Sequence, residues 1–199
     1  MRNTFIVIFF LLLATGACKD ERSDLGDQHF KNGEYKKAIA AYTEYLTLEP
    51  THIKSLYNRG RAYEELGEYE KALADFRKVL KEDPVNANAY LSVTSDYYHR
   101  QNDYENTIFY AEKTLKLNEN NPAAHTLKGK AYQKLGKLNE AMAAYNAAIS
   151  VNRDYADAYL SRALLRIHLK QTSRACADLK VAESLGATNA SGVLKKYCR

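Results

Sequence analysis

Residues 53–86 read IKSLYNRGRAYEELGEYEKALADFRKVLKEDPVN, and this stretch decides the architecture. Leu56, Gly60 and Tyr63 fall on one stripe of a first helix. Leu66-Gly67-Glu68-Tyr69 then turns the chain, and Gly67 suits the left-handed geometry that ends a helix. Ala72, Leu73, Phe76, Val79 and Leu80 share one face of a second helix. The small residues Gly60 and Ala72 are expected to let the two backbones approach closely. A single hairpin of this kind cannot hide both apolar stripes, whereas stacked neighbours can.

Outward from this stretch the spacing recurs. Gly26 and Gly33 precede Gly60 and Gly67 by 34 residues, and Gly129 and Gly136 follow them by 69. Ala38, Ala72, Ala141 and Ala175 step by 34, 69 and 34, and Tyr42, Phe76 and Tyr145 follow the first three by four. Pro50 and Pro84 close two units, while Pro122 opens another, as proline does at the first turn of a helix. Composition agrees: 199 residues hold 9 Gly, 3 Pro, 16 Tyr and no Trp, with 46% apolar and 27% charged residues. That balance fits a helical chain and argues against all-β, α/β, disordered and integral-membrane classes.

The pattern resembles the tetratricopeptide repeat, whose conserved Gly-or-Ala, Tyr, Gly, Tyr, Ala, Phe and Pro positions fall on Gly60, Tyr63, Gly67, Tyr69, Ala72, Phe76 and Pro84. Units are expected at about 19–52, 53–86, 87–121, 122–155 and 156–187. The resemblance implies an all-α, right-handed superhelical solenoid: five helix-turn-helix units over 23–187 and a C-terminal capping helix within 188–199. Unit three departs from it, with Thr94, Thr107 and Ala111 at the Gly, Ala and aromatic positions. It also has one extra residue, expected in the turn Gln101-Asn102-Asp103. Unit five has Ala163, Ala175 and Leu179 but neither glycine.

The N-terminus is of another kind. Arg2 precedes nine apolar residues, Phe5 to Leu13, and then come Ala14, Thr15, Gly16, Ala17 and Cys18. Nine residues span about 14 Å as a helix, half of a bilayer core. Residues 1–17 read as a cleaved secretory signal. A cysteine directly after such small residues resembles the lipobox of bacterial lipoproteins, although Thr15 stands where that family has Leu. The resemblance implies acylation of Cys18 and a tether over 18–22, with the first helix capped at Ser23-Asp24. It places the protein at the outer membrane, on the periplasmic face or the cell surface. Lys19-Asp20-Glu21 resembles a short surface-export tag and equally reads as a solvated helix start.

Cys176 and Cys198 are equidistant from residue 187, in the turn Gly186-Ala187. In an antiparallel hairpin such residues lie side by side, and export would favour a disulfide. On the chain-entropy account, a loop of this length stabilises the end of the array by roughly 3 kcal/mol.

No nucleophile-elbow, phosphate-loop, dinucleotide or zinc-hydrolase pattern occurs, so neither a catalytic residue, a metal site nor a cofactor is expected. His29 and His125 fall on repeat core positions, His52 in a turn, and His99 and His168 two units apart. A formal charge of +5, taken as mild and evenly spread, argues against nucleic acid. The resemblance implies a non-catalytic adaptor that holds a protein or peptide in a concave groove. By register that groove includes Tyr57, Asn58, Arg61, Leu91, Ser95, Tyr98, Lys130, Gln133, Lys134, Leu160 and Leu164. Arg61, Lys130 and Lys134 with Tyr57 and Tyr98 form a basic–aromatic strip suited to an extended acidic peptide. Most tyrosines, Tyr63, Tyr97 and Tyr132 among them, are assigned to the core. The family's carboxylate clamp would fall on Ser23 and Asp27 or on Tyr57 and Arg61, and neither pair matches its Lys and Asn. An alternative is a glycan- or peptidoglycan-binding lipoprotein that stacks sugars on Tyr57 and Tyr98.

Overall fold

The structure, a computed structural model, describes residues 22–198. The expected signal segment 1–17, the expected acylation site Cys18 and all but residue 22 of the expected tether 18–22 lie outside the described residues. Within them helices and turns alternate, with no strand. Helix α1 covers residues 22–31. It is followed by α2 (Tyr35–Leu48), α3 (Ile53–Glu65), α4 (Tyr69–Glu82), α5 (Ala87–Asp96), α6 (Tyr104–Leu117), α7 (Pro122–Lys134), α8 (Leu138–Val151), α9 (Ala156–His168), α10 (Thr172–Ser184) and α11 (Ala190–Tyr197). The helices form two compact units, one ending at Ala89 and one beginning at Tyr90.

Each hairpin turns through a left-handed residue. Gly67 has φ +73°, and glycine fills the same place in three other turns. Where glycine is missing, Asn102 (φ 53°) and Lys170 (φ 58°) take the position, at a steric cost that asparagine bears more easily than lysine. The extra residue of unit three is not in its turn. It is absorbed one step earlier, in a π-helical turn over Tyr97–Gln101, so that Asn102 still closes the hairpin in the geometry of the others.

The repeated glycine of α1, α3 and α7 also works differently from expectation. What it admits is an aromatic ring. A Cβ placed on Gly60 would meet Phe76 Cε1 at 2.7 Å, and one on Gly26 or Gly129 would meet Tyr42 or Tyr145 at 2.5 or 2.6 Å. The second helix of each of these pairs therefore seats its buried ring directly against the first.

In the first unit Leu46, Leu56, Val79 and Ala89 make a core shared by α2, α3, α4 and the start of α5. Ala38, Tyr42 and Ala62 make another, closed by Phe30, Tyr35 and Ile39. Ser23 is no cap: residue 22 is already helical, and Ser23 is buried 3.1 Å from the Ser55 hydroxyl. In the second unit Ala141, Tyr145 and Leu165 join α8 to α9, with Tyr132, Met142 and Leu169 around them. Of the 16 tyrosines only Tyr42, Tyr45 and Tyr145 are buried; Tyr63, Tyr97 and Tyr132, expected in the core, are half-buried, a placement that an amphipathic phenol tolerates at a hairpin flank.

Buried ion pairs recur through the stack. Arg59 grips Asp75 through two hydrogen bonds of 2.7 and 2.8 Å and reaches Thr43 at 3.1 Å. One hundred and three residues on, Arg162 grips Asp178 at 2.9 and 2.7 Å and reaches Asn146 at 2.7 Å. In both places an arginine of a first helix binds the acid of its own hairpin and a polar residue of the preceding helix. Lys128 stands at the same register and pairs with Glu112 at 2.8 Å.

The chain ends in α11, whose one fully buried residue is Ala190. Tyr197, expected on its apolar face, is 40% exposed. Cys176 and Cys198 are joined by a disulfide, their Cα atoms 5.6 Å apart, and the bridge pins the end of α11 against α10.

Candidate functional site

The eleven groove positions separate by unit. In the first, Asn58 and Arg61 are already engaged within the chain. Asn58 donates to Asp27 at 2.9 Å, while Arg61 pairs with Glu64 at 3.3 Å and lies over the Phe30 ring. Tyr57 sits 5.6 Å from the Phe76 ring and lines an open cavity of about 590 Å³ with His52, Lys54, Asn86 and Asn88. Lys54 in that cavity is held by Asp27 at 2.6 Å.

In the second unit Tyr98, Lys130, Gln133, Lys134 and Leu164 are brought together around one cavity of about 530 Å³. His99, Tyr145 and Ser161 complete its lining. Leu91, Ser95 and Leu160 are half-buried and are not among the lining residues. The π turn carries Tyr98 and His99 on consecutive positions, which is how unit three supplies two side chains to the cavity. Tyr98 packs edge-on against His99 at 4.8 Å and leans on Tyr104 at 5.8 Å.

The polar groups of this cavity are largely preset. Tyr145, its ring buried under Gly129, donates its hydroxyl to Gln133 Oε1 at 2.8 Å. Lys130, expected in the basic strip, is already paired: Asp157 holds its Nζ at 2.7 and 2.9 Å. Lys134 is exposed and has no carboxylate partner among the described residues, so the cavity carries one uncompensated positive charge. Desolvation of the ring, and next the charge of Lys130, hold the His99 imidazole below its ordinary range. Desolvation, reinforced by Tyr104 and Asp157, pushes the Tyr98 phenol up. At neutral pH both are uncharged, and Lys134 sets the sign of the site.

His29 and His125 are not core residues. His29 pairs with Glu34 at 2.6 Å, and half-buried His125 places Nε2 3.0 Å from the Glu119 carbonyl; an imidazole takes such polar partners at hairpin ends. Among the described residues no three His, Cys, Asp or Glu gather as a metal site, and no helix is long and apolar enough to cross a membrane. Sequence reasoning missed Asp157, Ser161 and Tyr145. Tyr145 was legible only as a core ring, and its hydroxyl at the cavity wall depends on how α8 packs on α7.

Comparison with known proteins agrees with this geometry. The family described as "Tetratricopeptide repeat" matches residues 53–86, and that described as "TPR repeat" matches 26–67 and 129–166. The DnaJ homolog subfamily C member 3 homolog of Dictyostelium discoideum is 26% identical over 196 residues; the match covers 91% of this chain and 39% of that protein, so the chain spans about two fifths of its length. The crystal structure of MamA is similar with a TM-score of 0.72 at 24% identity, covering 88% of this chain and 96% of that one. YrrB, described as a TPR protein with an unusual peptide-binding site, is similar with a TM-score of 0.68 at 20% identity, covering 87% and 90%. This fold is one used as a scaffold for protein–protein interaction. The repeat spacing, the ring-on-glycine packing and these matches together make the chain a member of the tetratricopeptide repeat family.

Proposed function

We propose that the protein is a membrane-anchored adaptor of the bacterial cell envelope, exported by residues 1–17 and acylated at Cys18. Its cavity of Tyr98, Gln133, Lys134, Ser161 and Leu164 would receive a side chain from an extended, acidic peptide partner. The observation that carries the peptide reading is that cavity: apolar walls from Tyr98 and Leu164, a preset amide at Gln133 and one unpaired cation at Lys134. A pocket with few fixed polar groups and one surplus charge selects a ligand by shape and sign. That YrrB is described as having a peptide-binding site supports a peptide as the ligand. Support for the anchor is the run of apolar and small residues that ends at Cys18.

Two experiments test the two halves separately. Mass spectrometry of the protein from bacterial membranes should find a diacylated or triacylated N-terminal Cys18, and Cys18→Ser should release it from the membrane fraction. An unmodified Cys18 in membrane-derived protein overturns the anchor. For the peptide, a photocrosslinker at Tyr98 in envelopes should capture one dominant protein, and Lys134→Glu should abolish capture. Retention on cell-wall glycan without a protein adduct would overturn the peptide reading.

A further inference from the structure

The formal charge is not evenly spread, as composition suggested, but collected at one end. Residues 162–198 hold seven Lys and Arg against two acids, a net of +5, whereas residues 22–161 hold nineteen against twenty. Two of the seven, Arg162 and Arg166, are spent on buried Asp178. The other five, Lys170, Arg174, Lys180, Lys195 and Lys196, are exposed, and among the described residues none pairs with a carboxylate. Lys196 lies over the Tyr197 ring. Of the two acids, Asp178 is buried between Arg162 and Arg166, and exposed Glu183, which accepts from Ser191, leaves the five cations in clear excess.

We propose that this C-terminal surface, formed by α10, α11 and the turn before α10, docks on an anionic phospholipid surface. The five cations sit on helix flanks and a turn, and none lines either cavity described above. A spread of long, exposed cations without a cleft suits a fluid layer that offers phosphates at any lateral position. A folded acidic protein needs fixed complementary places. Val181 and Tyr197, 37% and 40% exposed, stand among these charges, the mixture that sits well at headgroup depth. The Cys176–Cys198 bridge holds Lys195 and Lys196 beside α10, so the charges are gathered before binding. This inference does not depend on acylation or on the peptide cavity.

The test is sedimentation of the full chain with vesicles of phosphatidylcholine, alone or with about 30 mol% phosphatidylglycerol, at about 50 mM and about 500 mM salt. The apolar residues 5–13 give a charge-independent background that the neutral vesicles measure. The expected result is at least about tenfold stronger partitioning into anionic vesicles at low salt, lost at high salt. The variant Arg174→Gln/Lys180→Gln/Lys195→Gln/Lys196→Gln should lose that preference while melting like the parent. A control, Lys31→Gln/Lys36→Gln/Lys78→Gln/Lys81→Gln, removes as many exposed charges elsewhere and should keep it. Equal partitioning into both vesicles, or equal loss in both variants, overturns the proposal. Salt-sensitive binding to polyglutamate without any preference for anionic vesicles would overturn it in favour of an acidic protein.

Discussion

Replacing Gly60 by alanine sets two physical terms against each other in one methyl group. Alanine in a helix interior is favoured over glycine by about 1 kcal/mol, which alone would stabilise α3. The added Cβ, however, would stand 2.7 Å from Phe76 Cε1 and 3.0 Å from its Cδ1. That ring is 1% exposed and has Tyr57 5.6 Å away, so it has little room to yield. Overpacking of this kind costs roughly 1–3 kcal/mol. With a contact of 2.7 Å the upper part of that range applies, about 2–3 kcal/mol, so the expected net loss is about 1–2 kcal/mol, a fall in Tm of roughly 2–8 °C for a domain of this size. Urea unfolding followed by circular dichroism, with unchanged slope, measures it. Gly192→Ala is the counter-experiment: apart from its chain neighbours and its own helix backbone, nothing among the described residues lies within 4 Å of its added Cβ, so it should be neutral or stabilising. Adding Phe76→Leu to Gly60→Ala should recover about 1 kcal/mol relative to additivity. A Gly60→Ala protein as stable as the parent would refute the ring-on-glycine account.

Three further outcomes follow from particular contacts. Asp178→Ala leaves Arg162 and Arg166 beside an empty place, with side chains only 15% and 18% exposed, and should cost about 3–5 kcal/mol in urea titration; replacing all three by apolar residues should restore most of it. Burial raises the pKa of Asp27, but hydrogen bonds from Lys54, Tyr42 and Asn58 outweigh it and leave the carboxyl below its ordinary value. A lowered folded pKa means stability that is present above the unfolded value of about 3.9 and lost as pH falls through the folded one. Urea midpoints should therefore drop below about pH 4, and Asp27→Asn should flatten that limb. Lys170→Gly relieves a left-handed lysine and should raise stability by about 1 kcal/mol over Lys170→Ala, read from thermal melts.

The hairpins were legible because each is a local matter. Gly67 before Glu68-Tyr69 stops one helix and starts the next whatever surrounds it, and the residue spacing carries this from unit to unit. Five cavity residues, Tyr98, Lys130, Gln133, Lys134 and Leu164, were reachable through register alone. What register could not reach was which of them stay free. Lys130 and Arg61 read as equal groove cations, yet Asp157 and Glu64 occupy them, and those partners are chosen by packing angles and rotamers. The surplus residue of unit three was visible as a count, and its place in a π turn was not, since helix and turn absorb one residue at similar cost.

Period, helix number, the pairing of Cys176 with Cys198 and the loading of cations at the C-terminal end are properties of residue order. They follow from the rise and turn of a helix and from counting. The seating of Phe76, Tyr42 and Tyr145 against glycines, the burial of Asp75 and Asp178 under arginines, and the freedom of Lys134 were decided by tertiary contact. Each depends on which atoms of distant residues meet, and desolvation and van der Waals contact settle that only once the helices are stacked.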